Sequence, residues 1–253
     1  MKIKIATWNI AGGHPIASLD YFDYLPEDPE YFVNELKKID PDIVCFQESH
    51  TKIDNSSSNA KDITDKLGFS YLFNSPSSKS HVDNTCMLST AIIAKNKFNT
   101  EKLVFYPNPK GDLFWSDGRL ADTHKKNLQI VSNGQFSVAN NQILPIRLFG
   151  FTYDDGARGT EFANSINLVM KSEIKSPVIW CGDFNFSDPQ KVFSIINELN
   201  LINALPDEGT RPSKDGSKKK SDFIFYSSEF KLINSGIIET NTDHYLCWAE
   251  FEY

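Results

Sequence analysis

Little in this 253-residue chain suits a disulfide framework, a membrane span or a polyanion-binding surface. Its four cysteines, Cys45, Cys86, Cys181 and Cys247, include no close pair. Each sits in or beside an apolar segment, so they read as reduced, buried small hydrophobes and not as a disulfide or zinc framework. No apolar run approaches a membrane span, and the one in the opening MKIKIATWNI is too short for a signal peptide. A cytoplasmic protein without stable membrane insertion is expected. Positive charge is also short: 26 Lys and Arg against 33 Asp and Glu leave a net charge of −7. That removes whole-surface attraction to nucleic acid or anionic lipid and leaves any steering to local basic patches. Low-complexity linkers and sequence repeats are missing too, so residues 1–253 are expected to form one domain, with no protein partner implied.

What the chain has in quantity is apolar sequence in short runs; 40% of residues are hydrophobic and 19 are Phe, enough for a sizeable core. The run that organises the rest is S-P-V-I-W-C-G-D-F-N-F-S-D at 176–188. Residues 178–181, bounded by Pro177 and Gly182, read as a buried strand. It delivers Asp183, on the face of Ile179 and Cys181, and then Asn185 to the carboxyl edge of a sheet, where α/β folds place their chemistry. The pattern recurs. Ile3, Ile5 and Thr7 share a face with Asn9, and a strand over 43–47 ends at Glu48, on the face of Val44 and Phe46. Further strands are expected over 71–73, 87–94, 103–106, 127–132, 145–153, 222–226, 232–238 and 245–251. Asp28 and Pro29 start a helix with a Phe32, Val33, Leu36, Ile39 stripe, and Ala60, Ile63 and Leu67 mark a short one. Thr160 is expected to cap a third helix, and Asp188-Pro189 to start a fourth with Val192, Phe193, Ile196 and Leu199 inward. Two mixed sheets packed face to face with helices outside is the simplest architecture, with polar strand ends gathered at one end.

Those ends carry Asn9, Glu48, Tyr153, Asp183, Asn185, Asp222, Asp243 and His244. Oxygen-rich ligation of this kind suits Mg²⁺ or Mn²⁺, which bind through one or two carboxylates, water and substrate phosphate. Carboxylates with one histidine can hold such an ion, align a water and stabilise charge on a phosphoryl group, which points to metal-assisted hydrolysis. Two further features bear on substrate. Phe114, Trp115 and Arg119 lie in a long loop over 107–122, and residues 209–221 form the one markedly basic, flexible segment, with Lys218, Lys219 and Lys220. His14, His50, His81 and His124 read as surface or loop residues.

T-W-N-I at 7–10, Q-E at 47–48, G-D-F-N at 182–185, S-D-F-I at 221–224 and T-D-H at 242–244 together resemble the endonuclease/exonuclease/phosphatase superfamily. Each motif is short, but five occur in the family's order across almost the whole chain. The resemblance implies a four-layer α/β sandwich and Mg²⁺-dependent (Mn²⁺ possible) phosphoester hydrolysis. It implies Glu48 as the principal metal carboxylate, with Asn9 beside it and Asp243 as a ligand or its support. Asp183 would activate the attacking water, Asn185 would contact the phosphoryl oxygens, and His244, held by Asp222, would stabilise the transition state. The sequence departs from the family at Phe-Thr-Tyr-Asp over 151–154, where many members have a Thr-His-Leu histidine. Tyr153 takes that place, as a tyrosine does in abasic-site endonucleases. Thr242 replaces the usual Ser. Ala11 stands where exonuclease III-like enzymes carry a polar residue, which argues against abasic-site activity. The branch expected is a phosphodiesterase or nuclease on nucleic acid or a nucleotide adduct, with Arg119, Trp115 and the three lysines as substrate contacts. The alternatives are action on inositol phosphates or phospholipid headgroups, and an inactive binding module.

Overall fold

The computed structural model describes residues 1–18, 23–108, 113–114, 120–121, 125–144 and 157–253. β1 (Lys2–Asn9) leads through a short helical turn (Ala11–Gly13) to α1 (Pro29–Ile39), β2 (Ile43–Lys52), α2 (Asn59–Leu67), β3 (Tyr71–Lys79), β4 (Cys86–Ala94) and β5 (Thr100–Phe105). A ribbon of β6 (Leu113–Phe114) and β7 (Leu120–Ala121) precedes β8 (Asn127–Ser132) and β9 (Ser137–Gln142). Then come α3 (Ala157–Glu173), β10 (Val178–Asp183), α4 (Pro189–Val192), α5 (Ser194–Glu198) and β11 (Ile202–Asn203). A hairpin of β12 (Arg211–Pro212) and β13 (Lys218–Lys219) is followed by β14 (Asp222–Tyr226), β15 (Lys231–Ile238) and β16 (Leu246–Glu252).

Two six-stranded sheets result, in the orders β15-β16-β1-β2-β4-β3 and β11-β14-β10-β9-β8-β5. Each has one parallel pair at its centre, β1 with β2 and β10 with β9, so both are mixed. Alternation along each strand sorts the apolar residues into three layers. Ile3, Ile5, Cys45, Ile92, Val138, Ile179, Cys181, Ile224, Cys247 and Phe251 fill the space between the sheets. Trp8, Phe46 and Ile93 turn instead to Phe32, Leu36 and Ile63 on α1 and α2. Trp180, Phe223 and Phe225 turn to Phe162, Ile166, Met170 and Ile196 on α3 and α5. The protein is the four-layer α/β sandwich expected. No helix among the described residues is long and apolar enough to cross a membrane.

Several local expectations are corrected. β2 does not stop before Glu48: it runs on to Lys52 through a bulge between Phe46 and Ser49, where Glu48 takes φ +53°. The strand β9, Ser-Val-Ala-Asn-Asn-Gln, is not among the expected strands; its three consecutive amides are all buried. Thr160 lies inside α3 and does not cap it. Phe193 is extended and splits the fourth helix into α4 and α5. The basic segment is a hairpin, turned by Asp215 (which accepts from the Ser217 amide) and by Gly216 at φ +78°. His50 is buried within β2, not on a surface loop. The strand expected over 145–153 lies outside the described residues.

Gly182 shows what the close approach of β9 and β10 demands. Its φ is +140°, and a Cβ there would lie 2.0 Å from the Asn141 carbonyl oxygen. Gly182→Ala is therefore expected to lower the unfolding free energy by about 3 kcal/mol or more in chemical denaturation. Gly216→Ala, with open space around it, should cost only about 1 kcal/mol. Equal losses would mean that backbone angle, and not the β9 contact, sets the requirement for glycine at 182.

Candidate active site

The faces that meet between the sheets carry polar residues at one rim. Asn9 continues the face of Ile5 and Thr7, Asp183 that of Ile179 and Cys181, and Asp222 that of Ile224 and Tyr226. The Asn9 amide donates across the gap to Asp183 Oδ2 at 3.2 Å, and its Oδ1 accepts from the Ala11 amide. Glu48 arrives differently. Val44 and Phe46 face α1 and α2, and a regular strand would aim Glu48 there too. The bulge re-aims it toward the second sheet, where Gln142 Nε2 donates to its Oε1. Gln142 in turn accepts from Lys126 Nζ at 2.7 Å, a buried ammonium.

Behind this pair lies a buried dyad. His244 Nδ1 is 2.9 Å from Asp222 Oδ2 and 3.1 Å from Oδ1. Thr210 and Ser221 hydroxyls also donate to Oδ2, at 2.7 and 2.9 Å. The His244 backbone, just before β16, is pinned by Trp8 on the neighbouring β1, whose indole donates to its carbonyl at 3.0 Å. Asp183, Asp222 and His244 bring one ligand-type atom each within 4.8 Å of the others. Asn185, at φ +52°, donates its amide hydrogens to Ile143 O and Asp183 Oδ2, and its backbone N–H to Asp183 Oδ1. Its side chain and backbone thus hold both Asp183 carboxylate oxygens.

The charges bias one another. Burial pushes the Asp183 carboxyl up from the ordinary range, Asp222 and Glu48 add to this, and His244 and Arg211 oppose it. Burial works against protonated His244, yet Asp222 and Asp183 outweigh both burial and Arg211, and hold its pKa at about 9. Desolvation would raise Glu48, but Lys126, His81 and His244, with a hydrogen bond from Asn9, bring it to about 2. Lys126 itself is lowered by burial against the pull of Glu48 and Asp183. At neutral pH the site therefore offers an anionic Glu48, a carboxylate of raised basicity at 183 and a protonated imidazole.

The donor set fits a hard divalent cation. Glu48, Asn9 and Asp243 supply only oxygens, Glu48 is partly exposed, and Asp243 Oδ1 is buried with no hydrogen-bond partner. The other Asp243 oxygen accepts from Tyr24 at 3.4 Å. Neither Glu48 nor Asp243 belongs to the Asp183–Asp222–His244 cluster. Tyr153, Trp115 and Arg119 lie outside the described residues. Lys218 is paired with Glu239 and Lys220 with Asp207, whereas Lys219 is exposed and forms no ion pair among the described residues.

Lys126, Gln142, Thr210 and Arg211 were missed by the sequence reading. Lys126 precedes a strand and belongs to none of the motifs, and Gln142 sits in an amide run outside the expected strands. The signal available was alternation: Val138, Asn140 and Gln142 share one face. That face crosses between the sheets, since Asn140 exchanges hydrogen bonds with Gln47, Gln129 and the Phe46 carbonyl. His81, also read as a loop residue, is exposed but near enough to act on Glu48.

The chain superposes on an endonuclease/exonuclease/phosphatase family protein from Leptotrichia buccalis with a TM-score of 0.67 at 16% identity, covering 99% of this chain and 100% of that one. An AP endonuclease from Archaeoglobus fulgidus gives 0.64 at 16% identity, with 99% and 100% covered. A 3′ phosphatase from Neisseria bound to product DNA hairpin gives 0.62 at 16%, again over 99% and 100%. At such identities these similarities establish the fold. No curated protein matches the chain. The sequence profile described as Endonuclease/Exonuclease/phosphatase family matches residues 6–244, from β1 to the dyad histidine, and on that match the chain belongs to this family.

Proposed function

We propose that the protein is a Mg²⁺-dependent phosphodiesterase that hydrolyses P–O bonds in nucleic acid or a nucleotide adduct. The observation that carries this reading is the placement of Asp183 between two groups of opposite use: the amides of Asn9 and Asn185, which fix its orientation, and the protonated His244 that Asp222 supports. A carboxylate whose basicity burial has raised is matched to accepting a proton from water near neutral pH. His244, with Nδ1 committed to Asp222, has Nε2 to present to a phosphoryl or leaving-group oxygen, and its charge opposes the negative charge that develops there. Glu48, Asn9 and Asp243 would hold the cation, which when bound neutralises phosphoryl charge. The nucleic-acid branch is favoured because the structural neighbours include an AP endonuclease and a DNA-bound 3′ phosphatase. Neutralised partners at Lys218 and Lys220 make the hairpin a weaker phosphate-steering element than its composition suggests.

The test is hydrolysis of single- and double-stranded DNA, RNA, 3′-phosphorylated and abasic DNA, and an inositol polyphosphate, each with Mg²⁺, Mn²⁺ or EDTA. Turnover of a nucleic-acid substrate that EDTA abolishes is expected, with Asp183→Asn and His244→Ala each slower by about 10²–10⁴-fold. Turnover of the inositol phosphate alone would overturn the substrate assignment. Near-normal activity of either variant would overturn the site.

The charge state of His244 is checked separately in metal-free protein by imidazole ¹⁵N NMR. The wild-type ring should stay protonated as pH rises until about 9. Asp222→Asn removes the largest force raising that pKa and leaves burial and Arg211, which lower it, so the titration should move down by more than about one unit. An unmoved titration would show that Asp222 does not govern the ring.

A further inference from the structure

A second group of ligand-type side chains lies on the far side of the β2 bulge. Glu27, from the loop before α1, His50 on β2, Asp83 in the β3–β4 loop and Cys86 on β4 bring one ligand atom each within 4.8 Å of one another. Three separate stretches of chain meet there, one of them supplying both Asp83 and Cys86. We propose that these residues form a structural binding site for a divalent transition metal of the zinc class, distinct from the oxygen-rich phosphoester site.

The donors suit such an ion and not Mg²⁺: one sulfur, one imidazole and two carboxylates. Around a tetrahedral zinc, neighbouring donors sit roughly 3.2–3.8 Å apart, as follows from bond lengths near 2.0–2.3 Å. His50 Nδ1 is 2.8 Å from Glu27 Oε1, and Cys86 Sγ is 3.3 Å from Asp83 Oδ2, so the set is close to that spacing already. Glu27, His50 and Asp83 are also oriented from behind, as metal ligands are. Asn59 accepts from the His50 amide at 2.7 Å and donates to Glu27 Oε2 at 3.0 Å. Thr85 donates twice to Asp83 Oδ1, so Oδ2 is the atom directed at Cys86. Ser80 Oγ meets the far nitrogen of His50 at 2.7 Å. Gly12, at φ +76°, packs so closely that a Cβ would lie 2.4 Å from the His50 ring.

An independent observation comes from His14. Its Nδ1 is 2.7 Å from the Leu25 carbonyl, which can only accept, so Nδ1 carries the hydrogen. Nε2 is buried with no hydrogen-bond partner and lies 3.8 Å from Glu27 Oε1. That places a further buried ring nitrogen without a hydrogen-bond partner beside the cluster's Glu27 carboxylate. The Glu27 and Asp83 side chains are 30% and 31% exposed, which gives an ion a way in. Binding breaks the Cys86 S–H bond, forms a metal–sulfur bond and releases the proton to water. Two carboxylates and a thiolate against a dication and Lys52, which lies 3.5 Å from Asp83, then leave no net charge.

Cobalt titration of the metal-free full chain, followed by absorption, tests this. Thiolate-to-cobalt charge transfer in the near ultraviolet is expected, saturating at one thiolate-bound ion per chain and quenched by Zn²⁺ but not by Mg²⁺. The band should vanish in Cys86→Ser, persist in Glu48→Gln, and need at least about tenfold more cobalt in Glu27→Gln. Cys45, Cys181 and Cys247 are buried between the sheets and should not contribute. Absence of the band in wild type, or its survival in Cys86→Ser, overturns the proposal. If Cys86→Ser does not fold, an unchanged affinity in Glu27→Gln overturns it.

Discussion

Each sheet's carboxylate is held by the other sheet's amide. Asn9 on the first sheet holds Asp183 on the second, and Gln142 on the second holds Glu48 on the first. The rest of the site depends on this crossing. It requires the two sheets to stay in one register, which the apolar layer between them and the Gln47–Asn140–Gln129 amide chain enforce. It also requires Glu48 to leave the face that its strand alternation assigns to it, which the bulge at φ +53° accomplishes. Strain in the backbone there is offset by the hydrogen bond gained, and the residue that bears it is the one proposed to hold a metal.

The electrostatics follow from the same crossing. Lys126 and Arg211 place cationic charge beside a rim of three carboxylates. That charge keeps Glu48 ionised while burial makes Asp183 more basic than an ordinary aspartate. Two carboxylates within one rim thus receive opposite biases from their surroundings, a common arrangement where one must bind and the other must accept a proton.

Much of this was legible in the sequence, for identifiable reasons. Strands whose apolar alternation is clean, such as Ile3-Ile5-Thr7-Asn9 and Ile179-Cys181-Asp183, announce both the strand and the face on which its last polar residue falls. The Asp28 cap with Pro29 announces α1, and Asp28 accepts from the Tyr31 amide as that signal requires. What was hidden depends on partners distant in sequence. β9 is a strand because its amides find Gln47, Gln129 and the Phe46 carbonyl, none of them near it in the chain. The turn of Glu48 toward Gln142 is a bulge, which periodicity cannot show. His50, Asp83 and Cys86 lack any motif spacing, and become a cluster only when β2, β4 and the β3–β4 loop are paired.

The central claim is that the crossing builds a divalent-cation site at Glu48 next to Asp183. Anomalous diffraction at the manganese edge, from crystals soaked in Mn²⁺, tests it most directly. A manganese peak within bonding distance of a Glu48 oxygen, at the rim shared with Asn9, is expected, and it should disappear in Glu48→Gln. Manganese found only elsewhere, or retained at the rim in Glu48→Gln, would contradict the claim.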